Sequence, residues 1–380
     1  MPRIVADENI PLAREAFGAF GEVELVAGRK IDARTVADAD ALIVRSVTRV
    51  GDALLDGSRV RFVGTATIGT DHVDVAALER RGVAFASAPG CNARSVAEYL
   101  AAVLLELEHD LGRDFRGATI GVVGVGNVGS RVSAVAQALG LRVLQCDPPR
   151  AEREPGFASV SLDVLVRAAD VLTFHVPLEK SGPHATRHLL NAERIEQLRP
   201  DAIVVNSSRG GVVDDDALAI ACAAGRAEAV LDVWEDEPHP SSAMLGMVRI
   251  ATPHVAGYSL DGKLAGTRMI ADALARTLGV AGPDPGVFHT PVAEPAIQSS
   301  QRGRAAVREA VRRVYDVRAD DARLRAALAG AGAAAEARGA AFDRLRRDYP
   351  VRREFAGYQV RGAVGDEERR TLGELGFAVI

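Results

Sequence analysis

Thr119-Ile120-Gly121-Val122-Val123-Gly124-Val125-Gly126-Asn127-Val128-Gly129 decides the fold. An apolar, β-branched run of strand length ends in three glycines at GxGxxG spacing. In such a turn the first glycine permits the tight bend, the second lets backbone approach a pyrophosphate, and the third lets the next helix pack closely on the strand. The helix N-terminus then offers unpaired N–H groups and a favourable dipole to an anion. The spacing says little by itself. The strand before it and the helical stretch Gly129–Leu139 after it supply the context of a dinucleotide turn.

Working outward, Arg142–Cys146 reads as the next strand, and Asp147 follows it, 18 residues past Gly129. A carboxylate there hydrogen-bonds both ribose hydroxyls and repels a 2′-phosphate, which favours NAD over NADP. Arg150 pulls the other way, and a plain turn residue before Pro148-Pro149 is the alternative role for Asp147. Further strand-like runs lie at Val171–His175, Ile203–Asn206, Glu228–Asp232 and Val248–Ala251. Six strands over about 135 residues make one doubly wound nucleotide-binding domain.

A similar rhythm precedes it. Arg3–Ala6, Ala41–Val44, Phe62–Gly64 and Val83–Ala86 read as strands, with helical stretches around Pro11–Phe20 and Val73–Arg81. Ser95–Glu108 is an Ala- and Leu-rich helix with few polar positions before Glu106, a composition that predicts burial. Lys263–Leu278 reads as a helix returning to the first domain, and Gly279–Pro291 as a linker. A third unit starts near Ile297. It comprises an Arg-rich helix at Arg302–Val317, an Ala/Gly-rich middle at Ala326–Ala341, a strand at Tyr358–Val360 and a helix–strand ending at Glu367–Ile380. The expected division is 1–93 with 258–282 as a substrate-binding lid, 94–257 as an NAD-binding Rossmann domain, and 286–380 as a C-terminal α+β domain. The fold class is thus α/β, with two Rossmann-like doubly wound domains and an appended third.

Composition narrows the function classes. The chain has 380 residues, 48% of them apolar, and a formal net charge of -5 from 46 basic and 51 acidic residues. That balance carries no footprint for general nucleic-acid binding. Cys91, Cys146 and Cys222 are too few and odd in number for a disulfide framework, which fits a reducing, cytoplasmic setting. The start Arg3-Ile4-Val5-Ala6-Asp7 is strand-like rather than a signal peptide, and no apolar run approaches the roughly 20 residues of a membrane span.

Three residues downstream carry chemistry. Arg209 stands in Asn206-Ser207-Ser208-Arg209-Gly210, Glu237 in Asp236-Glu237-Pro238, and His254 in Thr252-Pro253-His254-Val255-Ala256-Gly257-Tyr258, each after an apolar run. Arginine presents a planar fork that pairs bidentately with a carboxylate. Histidine takes and returns a proton near neutral pH, and a carboxylate on its other ring nitrogen fixes the tautomer and stabilises imidazolium. With a dinucleotide turn, these are the parts for hydride transfer on a 2-hydroxy acid. Each has a plainer reading: a loop cap for Arg209, a solvated acidic run for Glu237, a turn histidine for His254. Their joint placement at strand ends of one nucleotide-binding domain outweighs those readings. His184 and His188 are spaced i, i+4, but no third ligand sits at a matching distance and Gly182-Pro183 marks a loop, so no metal site is expected. His72, after Asp71, reads as a neighbour of a helix cap.

Taken together, Gly121–Gly129, Asn206–Gly210, Leu231–Pro238 and Thr252–Gly257 resemble the D-isomer-specific 2-hydroxyacid dehydrogenases over roughly residues 1–280. The resemblance implies two similar α/β domains, the first completed by the returning helix. It implies Arg209, Glu237 and His254 as active-site residues, with His254 the proton acceptor in oxidation. Gly124, Gly126, Asn127, Val128, Gly129, Asp147, Val176, Ser207, Ser208, Arg209, Asp232 and Gly257 would line NAD, Val176 through its backbone alone. Ser46, Thr67 and Tyr258 would contact substrate.

Val44–Thr48, Gly64–His72, Ala88–Asn92, Val314–Arg318 and Tyr349–Phe355 extend the resemblance to members that take a small phosphorylated 2-hydroxy acid and that dimerise through their last domain. Such a phosphate needs further cations. Arg45, Arg49 and Tyr258 are candidates, as are Arg346, Arg347, Arg352 and Arg353, for which a solvated helix face is the alternative. Two other readings stand beside this one: a dehydrogenase of the same family acting on 3-phosphoglycerate or hydroxypyruvate, and an NAD-sensing binding protein that reuses the fold.

Overall fold

The computed structural model describes residues 1–362 and 365–380, with backbone alone at 293–295. Two compact units divide the chain: Met1–Asn92 with Ser259–Pro291, and Ala93–Tyr258 with Val292–Ile380.

The first unit is built on five parallel strands, β1 (Arg3–Asp7), β2 (Glu22–Val26), β3 (Ala41–Val44), β4 (Phe62–Thr65) and β5 (Ala84–Ala86). Their spatial order is β2-β1-β3-β4-β5. Strands β3 and β4 are buried throughout, as their continuous apolar runs require. Strand β2 went unread in the sequence: it is an edge strand whose Glu22 and Glu24 face solvent, so Glu-Val-Glu-Leu-Val carries no apolar run. The helix Leu260–Leu278 belongs to this unit. Ser259 caps its start by accepting from the Gly262 N–H, and Gly279, at φ 68°, ends it in the left-handed conformation. Gly64 on β4 makes room for it, since a Cβ there would stand 2.4 Å from Ile270 Cγ2.

The second unit holds six parallel strands: β6 (Thr119–Val123), β7 (Arg142–Cys146), β8 (Val171–Phe174), β9 (Ala202–Asn206), β10 (Ala227–Leu231) and β11 (Ile250–Ala251). Their order is β11-β10-β9-β8-β6-β7. The chain runs outward from β6 to β7, then crosses to β8 on the other side. The glycine turn after β6 therefore sits where the strand order reverses, the place where open α/β sheets bind ligands.

The same unit contains β12 (Ala293–Ser299), β13 (Tyr358–Gly362) and β14 (Ala378–Val379), a second parallel sheet. Its helices are Arg304–Val314, Val317–Gly330, Ala335–Arg347 and Asp366–Leu375. Strand β12 was not anticipated. The single helix expected over Arg302–Val317 breaks at Tyr315-Asp316, where the Asp316 carboxylate accepts from the N–H groups of Arg318 and Ala319 and starts a new helix. The Ala/Gly-rich middle is two helices around a turn with Gly332 at φ 70°.

Val307, Phe355, Val360 and Leu372 share one apolar core with Val96, Leu100, Leu104 and Ile120. The helix Ala93–Leu111 runs through that core. Its Glu106 and Glu108 are buried, and each is forked by an arginine, Arg308 and Arg304 respectively, with Nε–O distances of 2.9 and 2.7 Å. Each guanidinium fork supplies both carboxylate oxygens with a donor, the partners a buried carboxylate requires.

Candidate active site

Backbone sterics shape the glycine turn. Gly124 lies at φ +82°, and a Cβ there would meet His175 O and Val176 Cγ1 at 2.6 Å each. A Cβ on Gly129 would stand 1.9 Å from Gly124 O, so only glycine lets the helix Asn127–Ala138 seat on β6. Around Gly126 no atom lies within 4 Å of a Cβ position, which leaves an open cradle at the helix N-terminus. These three glycines fit a bound pyrophosphate.

Asp147 caps the short helix after β7. Its carboxylate accepts the Val125 N–H at 2.7 Å and the Arg150 N–H at 2.9 Å. It is both a cap and a turn anchor, tied directly to the glycine loop. Arg150 donates to Val125 O at 2.8 Å, pairs with Glu154 at 2.9 Å and lies 4.3 Å over the Phe157 ring. A guanidinium held by three partners is poorly placed to take up a 2′-phosphate, which supports the dinucleotide without one.

Arg209 is presented by a loop that its neighbours lock. Asn206, buried at the end of β9, accepts from Ser208 N–H and Oγ at 3.1 and 2.9 Å and donates to Arg209 O at 3.0 Å. Gly210 follows, and a Cβ there would lie 1.8 Å from Trp234 O. Glycine alone lets the loop after β9 close on the loop after β10.

That second loop carries Glu237. Trp234 N–H donates to Glu237 Oε1 at 3.0 Å, and Trp234 Nε1–H donates to Thr252 O at 3.1 Å. Asp232 organises the third loop. Its buried carboxylate accepts from Thr252 Oγ1 at 2.6 Å, Val255 N–H at 2.8 Å and Ala256 N–H at 2.9 Å. The Tyr99 hydroxyl, buried in the long helix, meets Thr252 Oγ1 at 3.0 Å. His254 projects from this frame at φ 58°, in the left-handed region where histidine is uncommon.

His254 Nδ1 and Glu237 Oε2 are 2.8 Å apart. A carboxylate accepts only, so Nδ1 carries a proton and donates, and in the neutral ring Nε2 is the acceptor. Burial alone would raise the Glu237 carboxyl. The charge and hydrogen bond of His254, the charge of Arg346 and the Trp234 N–H outweigh it and hold the group below its ordinary range. Burial raises the Asp232 carboxyl, against the opposing charge of His254 and the three hydrogen bonds it accepts.

In the first unit, Ser46 is exposed just past β3. Thr67 Oγ1 lies 2.8 Å from Thr65 Oγ1 and donates to Gly69 O at 3.0 Å. Thr65 also meets His72 Nε2 at 2.9 Å, so His72, two residues before the helix cap Asp74, is also a partner in a threonine network. Lys263 is depressed by burial and by the nearby charge of Arg45.

Two sequence candidates change character. Arg352 is buried, donates to Ser95 O and Ala256 O at 2.9 and 3.0 Å, and stacks 4.1 Å from the Tyr315 ring centroid. Through those two carbonyls it braces the His254 loop, while its Nε and Nη1 are buried without a hydrogen-bond partner. Arg347 is exposed and paired with Asp348 at 2.9 Å. His184 and His188 face separate acids, Glu152 and Glu235, and no metal-ligating cluster is found among the described residues.

Residues 93–256 match the family described as D-isomer specific 2-hydroxyacid dehydrogenase, NAD binding domain. Residues 289–376 match a domain of unknown function (DUF3410). The chain is 51% identical to an erythronate-4-phosphate dehydrogenase of Azotobacter vinelandii, over 94% of each chain. It is 45% identical to one of Klebsiella pneumoniae, over 100% of this chain and 98% of that one. Among solved structures it resembles D-lactate dehydrogenase from Aquifex aeolicus complexed with NAD and lactic acid. That match is 26% identical with a TM-score of 0.59, over 73% of this chain and 96% of the other.

Proposed function

This chain belongs to the erythronate-4-phosphate dehydrogenases, and from that premise we propose how its residues carry the reaction. It is an NAD-dependent D-2-hydroxyacid dehydrogenase of vitamin B6 biosynthesis. It oxidises 4-phospho-D-erythronate to 2-oxo-3-hydroxy-4-phosphobutanoate. NAD, when bound, supplies the hydride acceptor.

Every other part comes from the chain. Arg209 holds the substrate carboxylate through its guanidinium fork. His254 Nε2 accepts the proton of the C2 hydroxyl as the C2–O bond becomes a carbonyl. Glu237 stabilises the imidazolium so formed and keeps the ring oriented. In the reverse direction the same nitrogen returns the proton. The observation that carries this division is the 2.8 Å pairing of His254 Nδ1 with Glu237, which leaves Nε2 as the free base.

Gly124, Gly126, Asn127, Val128 and Gly129 would cradle the pyrophosphate and Asp147 the ribose, while Val176, Ser207, Ser208, Asp232 and Gly257 would line the rest of NAD. Ser46, Thr67 and Tyr258 would contact substrate, on the strength of their motif positions. The reading also includes a cytoplasmic homodimer built through residues 286–380. The cytoplasmic part of the reading is supported by three cysteines that form no disulfide. Because the C-terminal residues share a core with the long helix, truncation would unfold the unit. The mass of the intact chain in solution is the better test: about twice 40.0 kDa is expected, and a single-chain mass overturns the dimer.

The function is tested with purified protein and NAD against 4-phospho-D-erythronate, 3-phosphoglycerate, D-lactate and D-glycerate, following NADH absorbance with a 2-oxo acid as optional acceptor. Selective turnover of 4-phospho-D-erythronate is expected. Preference for another acid would overturn the substrate, and NAD binding without turnover would favour a sensor.

A further inference from the structure

We infer that Arg346, together with the Tyr258 hydroxyl, forms the subsite for the phosphate of the substrate, an inference that rests on the reading above. Arg346 lies near the end of the helix Ala335–Arg347. Gly339 anchors that helix: a Cβ there would stand 2.6 Å from His239 Cε1 and 3.3 Å from Pro238 Cγ, so the helix seats directly on the residues after Glu237. Arg338 adds a hydrogen bond to Pro240 O at 3.2 Å. Seven residues past Gly339 is about two helical turns, which returns Arg346 to the same face.

There its guanidinium carbon lies 6.0 Å from the Tyr258 ring centroid. The Tyr258 ring is fixed on another side by Tyr349, edge-on with centroids 5.6 Å apart, and the Tyr349 hydroxyl is bound to Asp320 at 2.7 Å. Arg346 shares a hydrogen bond with the Tyr258 side chain, its Nε is sealed from solvent without a partner, and no carboxylate forms an ion pair with it among the described residues. That sets it apart from Arg304, Arg308 and Arg325, whose carboxylates stand within 2.9 Å. Burial opposes its charge, but Tyr258, Glu237 and Asp232 outweigh burial and keep it protonated.

A partly buried guanidinium that no carboxylate pairs, and whose Nε has no partner, keeps donor capacity for an anion. The substrate is anionic at both ends. Arg209 serves the carboxylate, and a phosphate requires a second fork of the kind Arg346 provides. On this reading the C-terminal residues complete the active site of their own chain as well as joining two chains. They explain why a phosphate-selective member carries an extension that a simple hydroxyacid reductase does not need.

The test compares 4-phospho-D-erythronate with D-erythronate on wild type, Arg346→Met and Arg346→Lys, with NAD saturating and thermal melting recorded for each. The expected result is a fall of about 100-fold in the preference ratio of kcat/KM for Arg346→Met. Arg346→Lys, which keeps the charge but loses the fork, should lose about 10-fold. Should Arg346→Met fail to fold, the ratio for Arg346→Lys decides. Equal losses on both substrates would overturn the inference and leave Arg346 a support for Glu237. A ratio that survives in both variants but collapses in Arg45→Met would also overturn it and assign the phosphate to the first unit. Wild type that ignores 4-phospho-D-erythronate would remove the functional reading itself, and this subsite with it.

Discussion

Gly210→Ala isolates the loop closure on which the proposed mechanism depends. The new methyl would stand 1.8 Å from Trp234 O and 2.3 Å from Trp234 C, against 3.4 Å for ordinary contact. Both opposing atoms are backbone, so no side chain can swing away. Restoring contact requires the Arg209 loop and the Trp234–Glu237 loop to separate by about 1.6 Å. A misplacement of about 1 Å typically costs 10²-fold in rate, so kcat/KM should fall by about 10²-fold or more. Gly211→Ala is the control. It sits at φ +76° but its Cβ position has no neighbour nearer than 3.8 Å. It should lose about 1–2 kcal/mol of stability to left-handed strain while keeping most of its turnover. The assay is NADH formation from 4-phospho-D-erythronate at saturating NAD, below each variant's melting temperature. If Gly210→Ala retains more than half of wild-type kcat/KM, or if Gly211→Ala loses as much as Gly210→Ala, the argument from loop closure is wrong.

Two further outcomes follow from the site and its supports. His254→Ala should reduce kcat about 100-fold or more with NAD binding intact, as measured by turnover and nucleotide titration; full turnover would show that another group is the base. Glu98 is buried in the long helix, where burial and then the charge of Glu354 push its carboxyl from 4.5 up to about 8, against Arg352 and the Phe355 N–H. The native chain therefore holds a proton that the unfolded chain has already released, so stability falls as pH rises from 4.5 to about 8, by at most about 1.4 kcal/mol per unit. Glu98→Gln removes this titration, and its melting temperature should gain on wild type between pH 6 and 8; parallel melting profiles would contradict the assignment.

Much of the fold was legible because its signals are local. Apolar runs marked β3, β4, β6, β8, β9 and β10, since strands buried on both faces have few polar positions. Edge strand β2 and strand β12 were missed: one alternates with glutamate, and the other reads Ala-Glu-Pro-Ala-Ile-Gln-Ser with little apolar run. Residue type and strand-end position also singled out Arg209, Glu237 and His254, and the structure pairs the last two at 2.8 Å.

What the sequence by itself determined, then, is the dinucleotide turn, the parallel α/β architecture and the candidates for the proposed acid–base pair, because each is specified within a few residues. Tertiary structure alone decided which groups meet. Gly210 against Trp234, Gly339 against His239, and Arg304 and Arg308 against Glu108 and Glu106 are contacts between residues far apart in the chain. It also gave two arginines only six positions apart different partners: Arg352 donates to two backbone carbonyls, Arg346 meets the Tyr258 side chain, and neither forms an ion pair among the described residues. The side chains are the same; burial and the partners that folding supplies give them different roles.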